Sequence, residues 1–260
     1  MNPMFIVGTI CWFVASFFGV LYQYECQDRI SKKGIVLKAL SASCIVAYAI
    51  VLIVMFGKST DAAYNFAAGL VMITIADTLV AYLEYTGEGT SRTVVRAASG
   101  NSSKDRILLC VIGILFVVSY FLEVVAFIKG ISHHADVSDY IAPFLIFFLL
   151  PPIFTGVGAL LSKFRIPDAE LRVFIIGAFY ILLASALFSA STIFALSLFR
   201  VDVMHATWIL FGSIIFFLSL LLVELRYARP EMHDKKPMRI ISRLMQFLGR
   251  MILAGCAYLL

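Results

Sequence analysis

A polytopic all-α membrane protein, built as a bundle of about eight transmembrane helices, is the fold class that this sequence predicts. Three observations predict it. Of 260 residues, 62% are hydrophobic and 14% charged, against roughly 45–50% apolar and 25% charged in soluble domains. Apolar runs of the roughly 20 residues needed to cross a ~30 Å hydrocarbon core recur along the whole chain. Charged and turn-forming residues gather between those runs instead of alternating with apolar ones, so the pattern is one of spans and connections. A single integral membrane domain over residues 1–260 is expected.

The first run, residues 4–22, follows Met1, Asn2 and Pro3 with no Lys or Arg ahead of it. It lacks the basic region of a cleaved signal peptide and is expected to remain as a span. The second, 35–56, opens behind Lys32 and Lys33 and carries Lys38 about one turn inside. The third, 62–83, holds Asp77, and the fourth, 107–128, holds Tyr120 and Glu123. In the fifth, 141–161, Pro151 and Pro152 remove ladder hydrogen bonds and should kink the helix. The sixth, 173–199, is rich in Ala and Ser; the seventh, 206–223, contains Ser219; the eighth, 240–260, carries Arg243 at its head and Arg250 inside. Each is read as a helix, because backbone groups in lipid must be satisfied within their own segment. Between the third and fourth spans, residues 85–105 are rich in Gly, Ser, Thr and Arg without hydrophobic periodicity. That loop reads as a mobile cytoplasmic segment.

Sixteen Lys and Arg residues fall in the odd-numbered connections or at their edges and only three, Lys58, Lys129 and Arg200, in the even ones. Positive residues stay on the cytoplasmic side during insertion. Odd connections are therefore expected in the cytoplasm and both termini outside it, which requires an even number of spans. The location expected is the plasma (inner) membrane or the ER membrane. This distribution also accounts for the formal net charge of +5: membrane lipids are the partners it suggests, with anionic headgroups near residues 226–243, and no nucleic acid.

Five cysteines contain no CxxC pair, and four lie in apolar runs, so they read as small buried hydrophobes. His133, His134, Asp136 and His205 match no standard metal-ligand spacing and are expected to be solvated loop residues. No metal or other cofactor is expected. Phosphate-binding glycine loops, the zinc helix motif and the GxSxG elbow have no match, nor does the last span hold the lysine that a retinal Schiff base needs.

What remains is the set of ionisable residues inside spans, which are costly there and mark functional or paired sites. Asp77 lies seven residues before Glu84, about 10 Å deep at ~1.5 Å rise per residue, and Arg250 lies some 15 Å along its helix from the same side. Lys38, Asp77 and Arg250 can thus meet. Asp77 is either a reaction-site carboxylate or the acid of a structural ion pair with Lys38 or Arg250. Glu123, in the outer half of its span near Tyr120, either pairs with Arg200 or snorkels outward. Ser219 matches Asp77 in depth, facing it across a pocket or bonding its own helix backbone. Gly69 and Gly212 permit close helix approach.

In the third span Gly69-Leu70 followed by Ala76-Asp77, and in the seventh Gly212-Ser213 followed by Phe216 and Ser219-Leu220, resemble the YhhN-like lysoplasmalogenase family. Ala76 replaces the family's second glycine, and Leu220 stands at its second aspartate. Tyr120 and Glu123 stand near the family's His and Tyr, with Phe127 retained; Arg250 stands where the last span often has Gln, and Lys38 fits a basic residue of the second span. The resemblance implies eight spans and hydrolysis of the vinyl ether of a lysophospholipid (lysoplasmalogen-like) substrate. Such cleavage needs a proton donor and a carboxylate that stabilises an oxocarbenium ion or activates water. Asp77 suits the carboxylate role; Glu224, one turn beyond Leu220, is the candidate for the missing acid, with Lys38, Tyr120, Glu123, Ser219 and Arg250 as substrate-binding candidates. Two other classes stay open: a small-solute or ion transporter or channel using the same charges, and a catalytically inactive lipid-binding relative.

Overall fold

The computed structural model describes residues 3–26, 30–56, 60–86, 103–161, 171–228 and 236–260. These form eight α-helices: α1 (Pro3–Glu25), α2 (Lys32–Phe56), α3 (Asp61–Thr86), α4 (Ser103–Ser132), α5 (Ile141–Leu161), α6 (Leu171–Leu198), α7 (Val203–Ala228) and α8 (Lys236–Gly255). Short 3-10 turns precede α5 (Val137–Tyr140) and follow α8 (Ala257–Leu259). Seven described segments have the length and apolarity to cross a membrane; that of α5, Val137–Leu150, is shorter. The chain is an integral, multi-pass, all-α membrane protein. Every expected span has its helix, and α5 runs through Pro151 and Pro152 without interruption. The loop expected to be mobile, apart from its flanks, lies outside the described residues.

The outer surface is apolar, as a lipid-facing surface must be: Phe13, Phe17, Val20, Ile114, Phe121 and Ile146 are each at least 60% exposed. The interior is small and polar in places. Gly69 on α3 and Gly212 on α7 do mediate close approach, since a Cβ on Gly69 would stand 3.1 Å from the Ser119 carbonyl and one on Gly212 2.7 Å from Ile252. Buried hydroxyls tie neighbours together, with Ser41 donating to the Ala15 carbonyl at 3.0 Å, Ser119 to Gly69 at 2.9 Å and Ser189 to Phe144 at 2.6 Å. Each joins two adjacent helices through a backbone carbonyl, a bond that lipid cannot replace.

The order of contacts repeats. In the first half α1 packs on α2, α2 on α3 and α3 on α4; in the second, α5 packs on α6, α6 on α7 and α7 on α8. Contacts of α4 with α6 and of α8 with α2 close a ring of six helices, with α1 and α5 packed outside it. The ring encloses the polar side chains of α3, α4, α7 and α8.

Candidate active site

Two acids on α3 face two arginines on α8. Asp77 and Glu84 are seven residues apart, as are Arg243 and Arg250, and two helical turns return a side chain to nearly the same face. Because the helices run in opposite directions, Glu84 pairs with Arg243 (3.6 Å) while Asp77 accepts a short ionic hydrogen bond from Arg250. All four side chains are at least 85% buried. The two rungs are separated by about 10 Å along the bundle.

Arg250 is held from several sides. Its guanidinium lies 5.4 Å from the centre of the Phe216 ring, a cation–π contact between α8 and α7. Gly249 makes the contact possible, because a Cβ there would come within 2.7 Å of the Phe216 backbone. One guanidinium nitrogen, Nη2, is buried without a hydrogen-bond partner. Electrostatic contact extends from Arg250 to Glu123, Tyr120 and Tyr180 as well as Asp77.

Glu123 projects into this interior, not toward Arg200 or the interface: it is 4% exposed, packs against Gly69 and has a carboxyl oxygen 3.3 Å from the Ser119 hydroxyl, while Arg200 is exposed. The sequence placed it by its distance from the outer end; the glycine on α3 opens the inner face that receives it. Tyr120, fully buried, stacks on Phe116 and meets Tyr180 of α6 edge-on, the ring centres 6.1 Å apart in both cases. The two phenol hydroxyls approach one another, yet the Tyr120 hydroxyl makes no well-formed hydrogen bond. The centre therefore presents two carboxyls, an ion-paired guanidinium with a spare donor and a buried phenol with unmet capacity.

The remaining candidates separate. Ser219 is buried and donates to the Phe216 carbonyl of its own helix at 2.5 Å, so it braces the backbone beneath the Arg250 contact. Lys38 does not reach Asp77; its ammonium lies over the Tyr22 ring, 5.9 Å from the centre. Of the two structural partners considered for Asp77, Arg250 is the one engaged. The Glu224 side chain lies outside the described residues, although its backbone belongs to α7. Leu220 is buried in the same apolar core as Phe216 and Tyr120.

Several participants were missed in the sequence. The matched seven-residue spacings of α3 and α8 announce the double rung, but only once the helices are known to be antiparallel neighbours across the ring. Tyr180 offers no signal beyond being a phenol in an apolar run. At the opposite end, His205 is not a free loop residue: Asp202 binds its Nδ1, and its Nε2 lies 2.6 Å from the hydroxyl of Tyr258 near the C-terminus. The backbone N–H of His205, and then its ring, hold the Asp202 carboxyl below its ordinary range. His133, His134 and Asp136 are exposed as expected.

Comparison of the chain with protein-family models, with curated proteins and with solved structures finds no match.

Proposed function

We propose that the protein is a lysoplasmalogenase-like hydrolase that cleaves the vinyl-ether bond of a lysoplasmalogen to a fatty aldehyde and a glycerophospho-base. The observation that carries this reading is a pair of buried carboxyls in unlike surroundings: Asp77 bound to a guanidinium, and Glu123 bound to a hydroxyl. Acid-catalysed vinyl-ether cleavage asks for that division of labour. Glu123, without a direct cation, is the proton donor to the alkene carbon, a role the sequence suggested for Glu224. Asp77, paired with Arg250, stabilises the oxocarbenium ion that results and orients water toward it. Water adds, its proton returns to Glu123, and the hemiacetal collapses to aldehyde and alcohol. One water is consumed and both carboxyls are restored. The unpaired Arg250 nitrogen and the Tyr120 hydroxyl are donors placed to hold the glycerol oxygens.

A solute or ion path through the ring is the rival reading, since buried charges also line such paths. Engagement of Arg250 by Asp77 on one side and Phe216 on the other favours a fixed reaction centre over the mobile charges of a path. The distribution of basic residues along the sequence further supports an orientation with the odd-numbered connections in the cytoplasm and both termini outside.

The test is aldehyde release from a 1-alkenyl lysophosphatidylethanolamine by purified protein in lipid nanodiscs. Wild type should release aldehyde, and Glu123→Gln, which keeps the shape and the Ser119 contact, should lower kcat by about 10²–10⁴-fold. A folded wild type that releases none refutes the reading; Asp77-dependent proton or solute uptake into liposomes would then favour the transporter.

A further inference from the structure

One turn or two beyond the Asp77–Arg250 pair lies a second group of charges that the hydrolytic step does not use. Tyr22 of α1, 5% exposed, is flanked by two cations from different helices: the Lys38 ammonium of α2 at 5.9 Å and the Arg243 guanidinium of α8 at 5.4 Å from its ring centre. Arg243 is already engaged, donating from Nη1 to the Cys26 carbonyl at 3.2 Å and pairing through Nη2 with Glu84 at 3.6 Å. Lys38 has no carboxylate within ion-pair distance among the described residues. Cys26, on the same cluster, experiences both cations. The group thus sets the charge of Lys38 beside an arginine already matched to Glu84, within the bundle's polar end, where an added positive charge is costly without a counter-ion.

We propose that Lys38 and Arg243, converging on Tyr22, form the seat of a phosphate anion, and that its occupant is the phosphodiester of the lysophospholipid headgroup. A guanidinium supplies directed N–H donors and an ammonium a mobile point charge, the combination suited to phosphate oxygens. The spacing agrees. Arg243 precedes Arg250 by seven residues, placing the cluster about 10 Å from the reaction centre, and a glycerol backbone separates a vinyl ether from its phosphate by several bonds. The identity of the lipid rests on the hydrolase reading; the anion site rests on the cluster alone.

The test uses a saturated 1-O-hexadecyl lysophosphatidylethanolamine, which has no vinyl ether to cleave, so its binding is read independently of turnover. Its dissociation constant is compared with that of 1-O-hexadecylglycerol, which lacks the phosphate, and with that of inorganic phosphate. Lys38→Gln should weaken binding of the phospholipid about tenfold or more and leave the alkylglycerol unchanged, which also reports an intact fold. Lys38→Arg should restore most of the loss. Equal binding of the phospholipid to wild type and Lys38→Gln overturns the proposal, since a lysine that merely snorkels does not select its lipid. So does an equal loss for both lipids, or Lys38-dependent binding confined to inorganic phosphate. An absence of aldehyde in the turnover assay with this selectivity intact would sink the hydrolytic step and leave the anion site standing.

Discussion

Asp77 has two properties that are measured separately: it binds a buried cation, and its charge lies beside Glu123 in the ring's interior. Removing one partner of a buried pair leaves an uncompensated charge and typically costs about 3–5 kcal/mol, whereas replacing both with apolar groups of similar volume is close to neutral. Asp77→Asn should therefore lower the thermal midpoint as well as abolish aldehyde release. The double variant Asp77→Leu/Arg250→Met should recover most of the stability and none of the activity. A double variant that keeps releasing aldehyde removes both residues from the mechanism. The sequence made the pair legible as far as depth allowed, because helical rise along each span brings Lys38, Asp77 and Arg250 to comparable levels. It left the choice between two cations open. What decided it was azimuth: Lys38 turns toward α1 and Tyr22, and rotation about a helix axis depends on neighbours that an apolar run does not name. The same ignorance of azimuth set Glu123 at the interface; for Ser219 it left a pocket and a bond to its own helix backbone both open, and the second is the one formed.

Helix contacts determine whether those side chains meet. At the crossing of α7 and α8, a Cβ on Gly249 would stand 2.7 Å from the Phe216 nitrogen, Cα and Cβ. Two of these are backbone atoms that no rotamer change can move. Gly249→Ala must therefore push α8 away from α7, and with it the guanidinium of the next residue, Arg250. Overpacking of this kind costs about 1–3 kcal/mol, and the displacement should reduce aldehyde release more than the fall in folded fraction explains. Gly113 on α4 is the control, because a methyl group added there would meet nothing within 4 Å; Gly113→Ala should be neutral or stabilising by up to about 1 kcal/mol. Thermal midpoints and specific activity of the two variants check this, and a Gly249→Ala protein as stable and active as wild type would show that the crossing is loose. Gly69 and Gly212 could be read from the sequence as packing residues because small residues inside spans permit close helix approach. Gly249 was not singled out, because its close contact with the Phe216 backbone follows only from the crossing of α7 and α8.

At the scale of the molecule, the two four-helix halves share one order of contacts, and each contains an even number of helices. The ring closes through α4 with α6 and α8 with α2, and its acid–arginine rungs join α3 of one half to α8 of the other. The fold class and the number of helices were legible from composition and run length alone; the ring was not, because contacts such as α4 with α6 skip a helix in sequence. Sidedness comes from charge: 16 basic residues belong to odd connections against three in even ones, and positive residues resist translocation. That distribution predicts that the segment between α4 and α5 faces away from the cytoplasm and the one between α3 and α4 faces into it. With Cys11, Cys26, Cys44, Cys110 and Cys256 replaced, a single cysteine at His133, an exposed position after α4, should react with an impermeant maleimide in intact cells. One at Ser99 should react only after permeabilisation. The reverse pattern would invert the bundle, putting the Lys38–Arg243 end outside and requiring that its lipid headgroup arrive from the other leaflet.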